Sequence, residues 1–114
     1  MLRNADDLPG HLKPVYSQAG WLDLVLRSRM TPMQKLVGTV IAHSSQYVKT
    51  RELALCSISK YSISRMVNAN QEECQALVDD LIRLGWLFKM GDSAGAKSTY
   101  ALTFSLIPMG EMKE

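Results

Sequence analysis

Between Asn70 and Leu84 the chain reads NQEECQALVDDLIRL, and Gly85 follows. Cys74, Leu77, Val78, Leu81 and Ile82 recur at three- and four-residue spacing, which lines one face of a helix with apolar side chains. Asn70 stands where its side chain caps the first free amides. Glu73, three residues on, is placed to return the bond as a capping box. Gly85 supplies the residue best able to turn left-handed after the last turn. A helix marked this clearly at both ends sets the frame for the rest of the chain.

The stretch before it, SKYSISRMVNA, has a shorter apolar face of Ile63, Met66 and Val67 and then a turn at Asn68-Ala69. Further upstream, Thr31-Pro32-Met33-Gln34 opens another helix: Thr31 caps, Pro32 takes the first helical position and Gln34 completes a capping box. Met33, Leu36, Val37, Val40 and Ile41 mark its course, and it fades at Ser44-Ser45-Gln46. Gly20 to Arg29 is expected to be helical with Trp21, Leu24, Val25 and Leu22 inward. Residues 1–16 hold Pro9, Gly10 and Pro14 without periodicity and are expected to form a flexible or loosely docked arm. Arg51 to Ile58 reads as a short strand or as extended chain leading to a helix capped by Ser57 or Ser59.

After Gly85, Trp86 to Met90 forms an aromatic-rich strand, and residues 91–97 form a loop with two glycines. Ser98 to Leu106 alternates, with Tyr100, Leu102, Phe104 and Leu106 on one side. Strand, loop and strand make a hairpin. Residues 108–114 form a polar tail. The expected common core is Leu36, Val40, Ile41, Ile63, Met66, Leu77, Leu81, Trp86 and Tyr100.

At 114 residues the chain is one domain, and 46% hydrophobic with 21% charged residues is ordinary globular composition. No stretch nears the roughly 18 apolar residues of a membrane span. The polar N-terminus shows no secretory leader, and Cys56 and Cys74 read as reduced core residues, with a disulfide as the alternative. A cytoplasmic setting is expected. The net charge of +2 is unevenly spread: residues 1–65 carry nine Lys/Arg against four acids, 9 − 4 = +5, and residues 66–114 carry four against seven, 4 − 7 = −3. A basic half suits phosphate contact.

The expected order is helix, helix, short strand, helix, turn, helix, hairpin. TPMQKLVGTVIAH resembles the first helix of the DNA-binding domains of phage and plasmid replication proteins. SISRMVNANQEECQALVDDLIRLGWL resembles their helix-turn-helix, and GAKSTYAL their wing-closing strand. The resemblance covers about residues 17–107. It implies a mainly α fold with a small β-hairpin wing, a winged helix-turn-helix, with Asn70 to Leu84 in the recognition-helix position. It also implies double-stranded DNA as partner, in transcriptional control or replication initiation of a mobile element.

In such domains the exposed early positions of the second helix enter the major groove. Here these are Gln71, Glu72, Gln75 and Asp79. The glutamines suit adenine edges and the acids suit cytosine donors, although the family usually offers Ser, Arg and Thr there. Read as helix chemistry alone, Glu72 and Glu73 stabilise the positive end of their own helix. Phosphate contacts are expected from Ser59, Lys60 and Tyr61 at the start of the preceding helix and from Lys89, Lys97, Ser98 and Thr99 around the wing. Arg27, Arg29, Lys35 and Arg51 are candidates to extend that patch. The alternative function is a protein-interaction module whose acidic helix docks on a regulator or replisome protein. A homodimer through the N-terminal helix follows if Trp21 is exposed. His43 has no motif-placed partner, and the sequence shows no phosphate loop, metal-ligand cluster or paired nucleophile and base, so neither an enzyme nor a cofactor is expected.

Overall fold

The computed structural model describes residues 8–93 and 97–105. The centre of the expected wing loop, Leu106 and the tail over 108–114 lie outside the described residues. Along the chain the elements are β1 (Leu12–Pro14), α1 (Gln18–Arg27), α2 (Pro32–His43), β2 (Gln46–Val48), β3 (Leu53–Ser59), α3 (Lys60–Val67), α4 (Gln71–Arg83), β4 (Leu87–Ser93) and β5 (Lys97–Ser105).

The expectation of a mainly α chain with a small hairpin wing is overturned. Five strands form one antiparallel sheet in the order β1-β5-β3-β2, with β4 also paired to β5. With four helices packed against it, the fold is mixed α/β. The reason is length: β1 and β2 have three residues each, too few for an alternating pattern to register in sequence. The hairpin is only one corner of the sheet. Within the segment expected to be a loose arm, β1 pairs Leu12, Lys13 and Pro14 with Ser105, Phe104 and Thr103. Leu12 and Val15 are buried. Pro14 is tolerable because β1 lies at a sheet edge.

Strand β5 is the hub. Thr103 N–H donates to Trp86 O at 3.0 Å, whereas the C=O of the preceding residue, Leu102, accepts from Val15 N–H at 3.2 Å. Neighbouring residues of a strand address opposite edges. So β4 lies along one edge of β5, and β3 then β1 along the other. Both faces are also covered. Tyr100 and Leu102 join the main core with Trp21, Ile41, Ile63 and Leu81, while Ala101 packs on the other face with Leu53 and Met90. The one-sided reading of β5 therefore missed Ala101 and Thr103, both fully buried. Thr103 stays in the core because its hydroxyl donates to Gly85 O at 2.8 Å. Its carbonyl accepts from Trp21 Nε1 at 2.9 Å, and Trp21 Nε1 also reaches Trp86 O at 3.1 Å.

Helix ends follow the local chemistry closely. Thr31 Oγ1 accepts from Gln34 N–H and Gln34 Oε1 accepts from Thr31 N–H, the full capping box ahead of Pro32. At α4, Asn70 Oδ1 accepts from Glu73 N–H at 2.7 Å, but only this arm of the expected box forms. Asn68 turns left-handed (φ +59°) to end α3. Gly85 does so after α4 (φ +89°), and Trp86 N–H returns to Leu81 O at 2.9 Å.

Of the expected core, Val40, Ile41, Ile63, Leu81 and Tyr100 are buried, and Leu77 and Trp86 are half-buried. Leu36 (40% exposed) and Met66 (52%) face outward, as does Leu24 (46%). Short helices bury narrow stripes: α1 buries Trp21 and Val25, α3 only Ile63 and Ser64. Trp21 is fully buried, edge-on to Trp86 at 6.1 Å, so the condition set for a homodimer through the first helix is not met.

Candidate functional site

Ser59 ends β3 and begins α3. Its Oγ accepts from Ser62 N–H at 3.1 Å, which places Lys60 and Tyr61 in the first turn. Three residues separate α3 from α4, so the first turn of α4 lies close by, with Gln71 and Gln75 one turn apart on one face. Strand β3 pairs with β5 from Leu55↔Ala101 to Ser59↔Lys97, which carries Ser98 and Tyr100 to the same end. The result is an open cleft of about 240 Å³ lined by Ser59, Lys60, Tyr61, Gln71, Gln75, Ser98 and Tyr100. Its wall holds four hydroxyls, two carboxamides, one ammonium and no carboxylate.

Six of the expected site residues thus meet in one place. Tyr100 joins them although the sequence reading used it only as core. Burial raises its hydroxyl pKa; a Ser98 hydrogen bond and the Lys89 charge act against the rise, and Asp79 and Asp92 add to it.

The remaining expected residues lie around the cleft rather than in its wall. Lys89 pairs in register with Tyr100, and Asp92 with Ser98. Paired residues share a face of the sheet. A bulge between Lys89 and Gly91 inserts one residue, so Lys89 and Asp92, three apart, end on the same side. There Lys89 Nζ meets Asp92 Oδ1 at 3.2 Å and Ser98 Oγ donates to the same oxygen at 3.0 Å. The Lys89 hydrogen bond, then that from Ser98, then the Lys89 charge hold the Asp92 carboxyl below its ordinary range. Thr99 lies on the opposite face of β5, its Oγ1 2.7 Å from Ser57 Oγ. Lys97 is exposed beside it. Among the described residues, neither Lys60 nor Lys97 forms an ion pair.

On α4, Gln75 Nε2 donates to Asp79 Oδ1 at 2.9 Å. Asp80 accepts from Gln34 Nε2 at 3.2 Å and meets Arg83 at 3.4 Å. Glu72 and Glu73 are exposed in the first turn. Two of the cations considered as extensions of the patch have other tasks: Arg27 pairs with Asp23 at 3.1 Å, and Lys35 Nζ donates to Leu26 O at 2.8 Å. Arg51 sits in the β2–β3 turn, at the far end of β3 from the cleft.

Comparison with family models, with curated proteins and with solved structures finds no match for this chain. One residue the sequence reading passed over belongs here. Arg65 lies over the Tyr61 ring at 5.8 Å and its Nη1 donates to Tyr61 Oη at 2.9 Å. Its four-residue spacing from Tyr61 was the available signal. Both side chains are exposed, and the pair holds a guanidinium at the rim of the cleft.

Among the described residues no helix is long and apolar enough to cross a membrane, and no group of three or more His, Cys, Asp or Glu gathers as a metal site. Cys56 and Cys74 are free and buried. Burial pushes the Cys56 thiol up to about 11, and burial followed by the Glu73 charge raises that of Cys74.

Proposed function

We propose that this chain binds double-stranded DNA, with the cleft between α3, α4 and β5 seated on the sugar-phosphate backbone and the start of α4 facing the major groove. The resemblance to phage and plasmid winged helix-turn-helix proteins points the same way, toward transcriptional control or replication initiation. One observation carries the reading. The first turns of two helices and the end of a strand converge on a carboxylate-free cleft rich in hydrogen-bond donors, with Lys60 in its wall. Helix N-termini carry partial positive charge and unpaired amides, so such a wall favours an anion. Arg65, Lys89 and Lys97 add cations around it.

Acids on α4 and the hairpin, which would repel phosphates if free, are largely engaged within the protein. Asp79 holds Gln75, Asp92 holds Lys89 and Ser98, and Asp80 holds Gln34 and Arg83. The same engagement weakens the alternative of an acidic helix docking on a protein partner, because only Glu72 and Glu73 remain uncommitted on that helix.

The test is a salt titration of binding to mixed genomic duplex. The wild type is expected to bind at low salt with a negative slope of log affinity on log salt. Replacing Lys60, Lys89 and Lys97 by Ala flattens that slope and weakens binding to all sequences alike. No binding at low salt, or an unchanged slope in the triple variant, removes this surface as a DNA site.

A further inference from the structure

We infer that Asp79 is a positioning residue for sequence readout: it orients the Gln75 carboxamide so that Gln75 presents an acceptor and one free N–H to an adenine edge. This rests on the DNA-binding reading and adds the specificity device within it.

The argument begins with what Gln75 can do. Its side chain is half-buried in the cleft wall, while Gln71, one turn earlier, is exposed. A free carboxamide can rotate and exchange its oxygen with its nitrogen, presenting either pattern to a base edge. Bidentate pairing with adenine needs one order only, with oxygen accepting from N6 and nitrogen donating to N7. The carboxylate of Asp79 accepts only, so it takes the Gln75 nitrogen, at 2.9 Å. That bond uses one of the two Nε2 hydrogens and excludes the flipped amide, which would set oxygen against oxygen. The second hydrogen and Oε1 have no other partner among the described residues.

The acid's position agrees with this role. Four residues after Gln75 on α4, Asp79 is exposed and outside the cleft wall, yet close enough to add to the raised pKa of the Tyr100 hydroxyl in it. Read this way, the carboxylate in a phosphate-lined groove sets the order of the donor and acceptor beside it.

Selection from a library of short duplexes with a randomised centre, at low salt and with the full chain, tests the assignment. The wild type is expected to enrich adenine at one position of its site. Gln75→Ala loses that enrichment, and Asp79→Ala lowers it by about tenfold, the scale of a good bidentate contact. The double variant matches Gln75→Ala alone. Asp79→Asn is decisive: its carboxamide can accept from the Gln75 nitrogen or donate to the Gln75 oxygen, so the flipped amide is no longer excluded, and the preference falls as in Asp79→Ala while general affinity rises with the charge gone. Circular dichroism confirms that each variant keeps its helices. If Asp79→Asn keeps the full wild-type preference, an acceptor-only partner is not what orders Gln75, and the inference fails. Binding without any preference at a Gln75-dependent position also overturns it while leaving the DNA reading intact. No binding by the wild type overturns both.

Discussion

Gly85 occupies a backbone conformation that few side chains tolerate, and there is no room to relax it. With φ at +89°, an added Cβ would lie 2.6 Å from Ser105 Cβ, across the contact between the end of α4 and the end of β5. Gly85→Ala is therefore expected to lose about 2–4 kcal/mol, combining left-handed strain with a clash; a urea midpoint unchanged from wild type would refute the account. Cys56 gives a pH-dependent counterpart. Its folded pKa, about 11, lies above the ordinary thiol value of 9.0. Below pH 9 the thiol is neutral in both states, so its full contribution to stability is present. Between 9 and 11 the unfolded chain ionises first, and stability falls as pH rises. Relative to Cys56→Ala, the wild type should lose about 2–3 kcal/mol over that window in denaturant titrations. At this scale much was legible. Gly85, Asn70 and the Thr31 box announce themselves because capping chemistry is local. Ser59, Lys60, Gln71 and Gln75 follow from helix starts. Tyr100 did not, because a strand residue can serve the core with its ring and a cleft with its hydroxyl, and alternation reports only the first.

Elements were harder to read where their partners are distant in sequence. The helices carry their own periodicity, whereas β1 is defined almost wholly by Ser105, Phe104 and Thr103, some ninety residues on. Three residues containing a proline give no signal by themselves, so an arm was the natural reading. The same limit hid β2 and left β3 balanced between strand and loop. The sheet tests whether β1 is structural. Leu12 is buried, and its Cδ2 lies 3.4 Å from where a Gly85 Cβ would stand. Leu12→Ala should cost about 2–3 kcal/mol, as for a buried leucine, read from the urea midpoint. A loosely docked arm would lose almost nothing. Exposed Leu26, 57% exposed on α1, is the matched control and should be nearly neutral on substitution by Ala.

At the scale of the molecule, the question is how a chain with a net charge of only +2 gathers enough positive field to meet DNA. The arrangement of pairs answers it better than the sum. Lys60 and Lys97 are without ion-pair partners among the described residues, whereas Lys89 is held by Asp92 at 3.2 Å. A lysine that already has a counter-ion must exchange it for a phosphate, so its contribution to the salt dependence is smaller. Lys60→Ala should therefore reduce the magnitude of the slope of log affinity on log salt by about 0.9, the increment for one neutralised phosphate. Lys89→Ala should reduce it distinctly less. Asp92→Asn releases Lys89 and should steepen the slope and tighten low-salt binding by about twofold to threefold, the modest scale of an exposed pair. In the Asp92→Asn background, Lys89→Ala should then cost the full increment. Acidification does not imitate that variant. The Asp92 pKa is depressed below 3.8, so its contribution is present above that value and is lost only as pH falls through the still lower folded pKa. Between pH 5 and pH 8 the pair stays intact. Fluorescence anisotropy on one labelled duplex across a potassium chloride series measures the wild type and the four variants. Equal slope changes for Lys60→Ala and Lys89→Ala, with Asp92→Asn unchanged from wild type, would show that the ion pair on the hairpin has no part in the encounter.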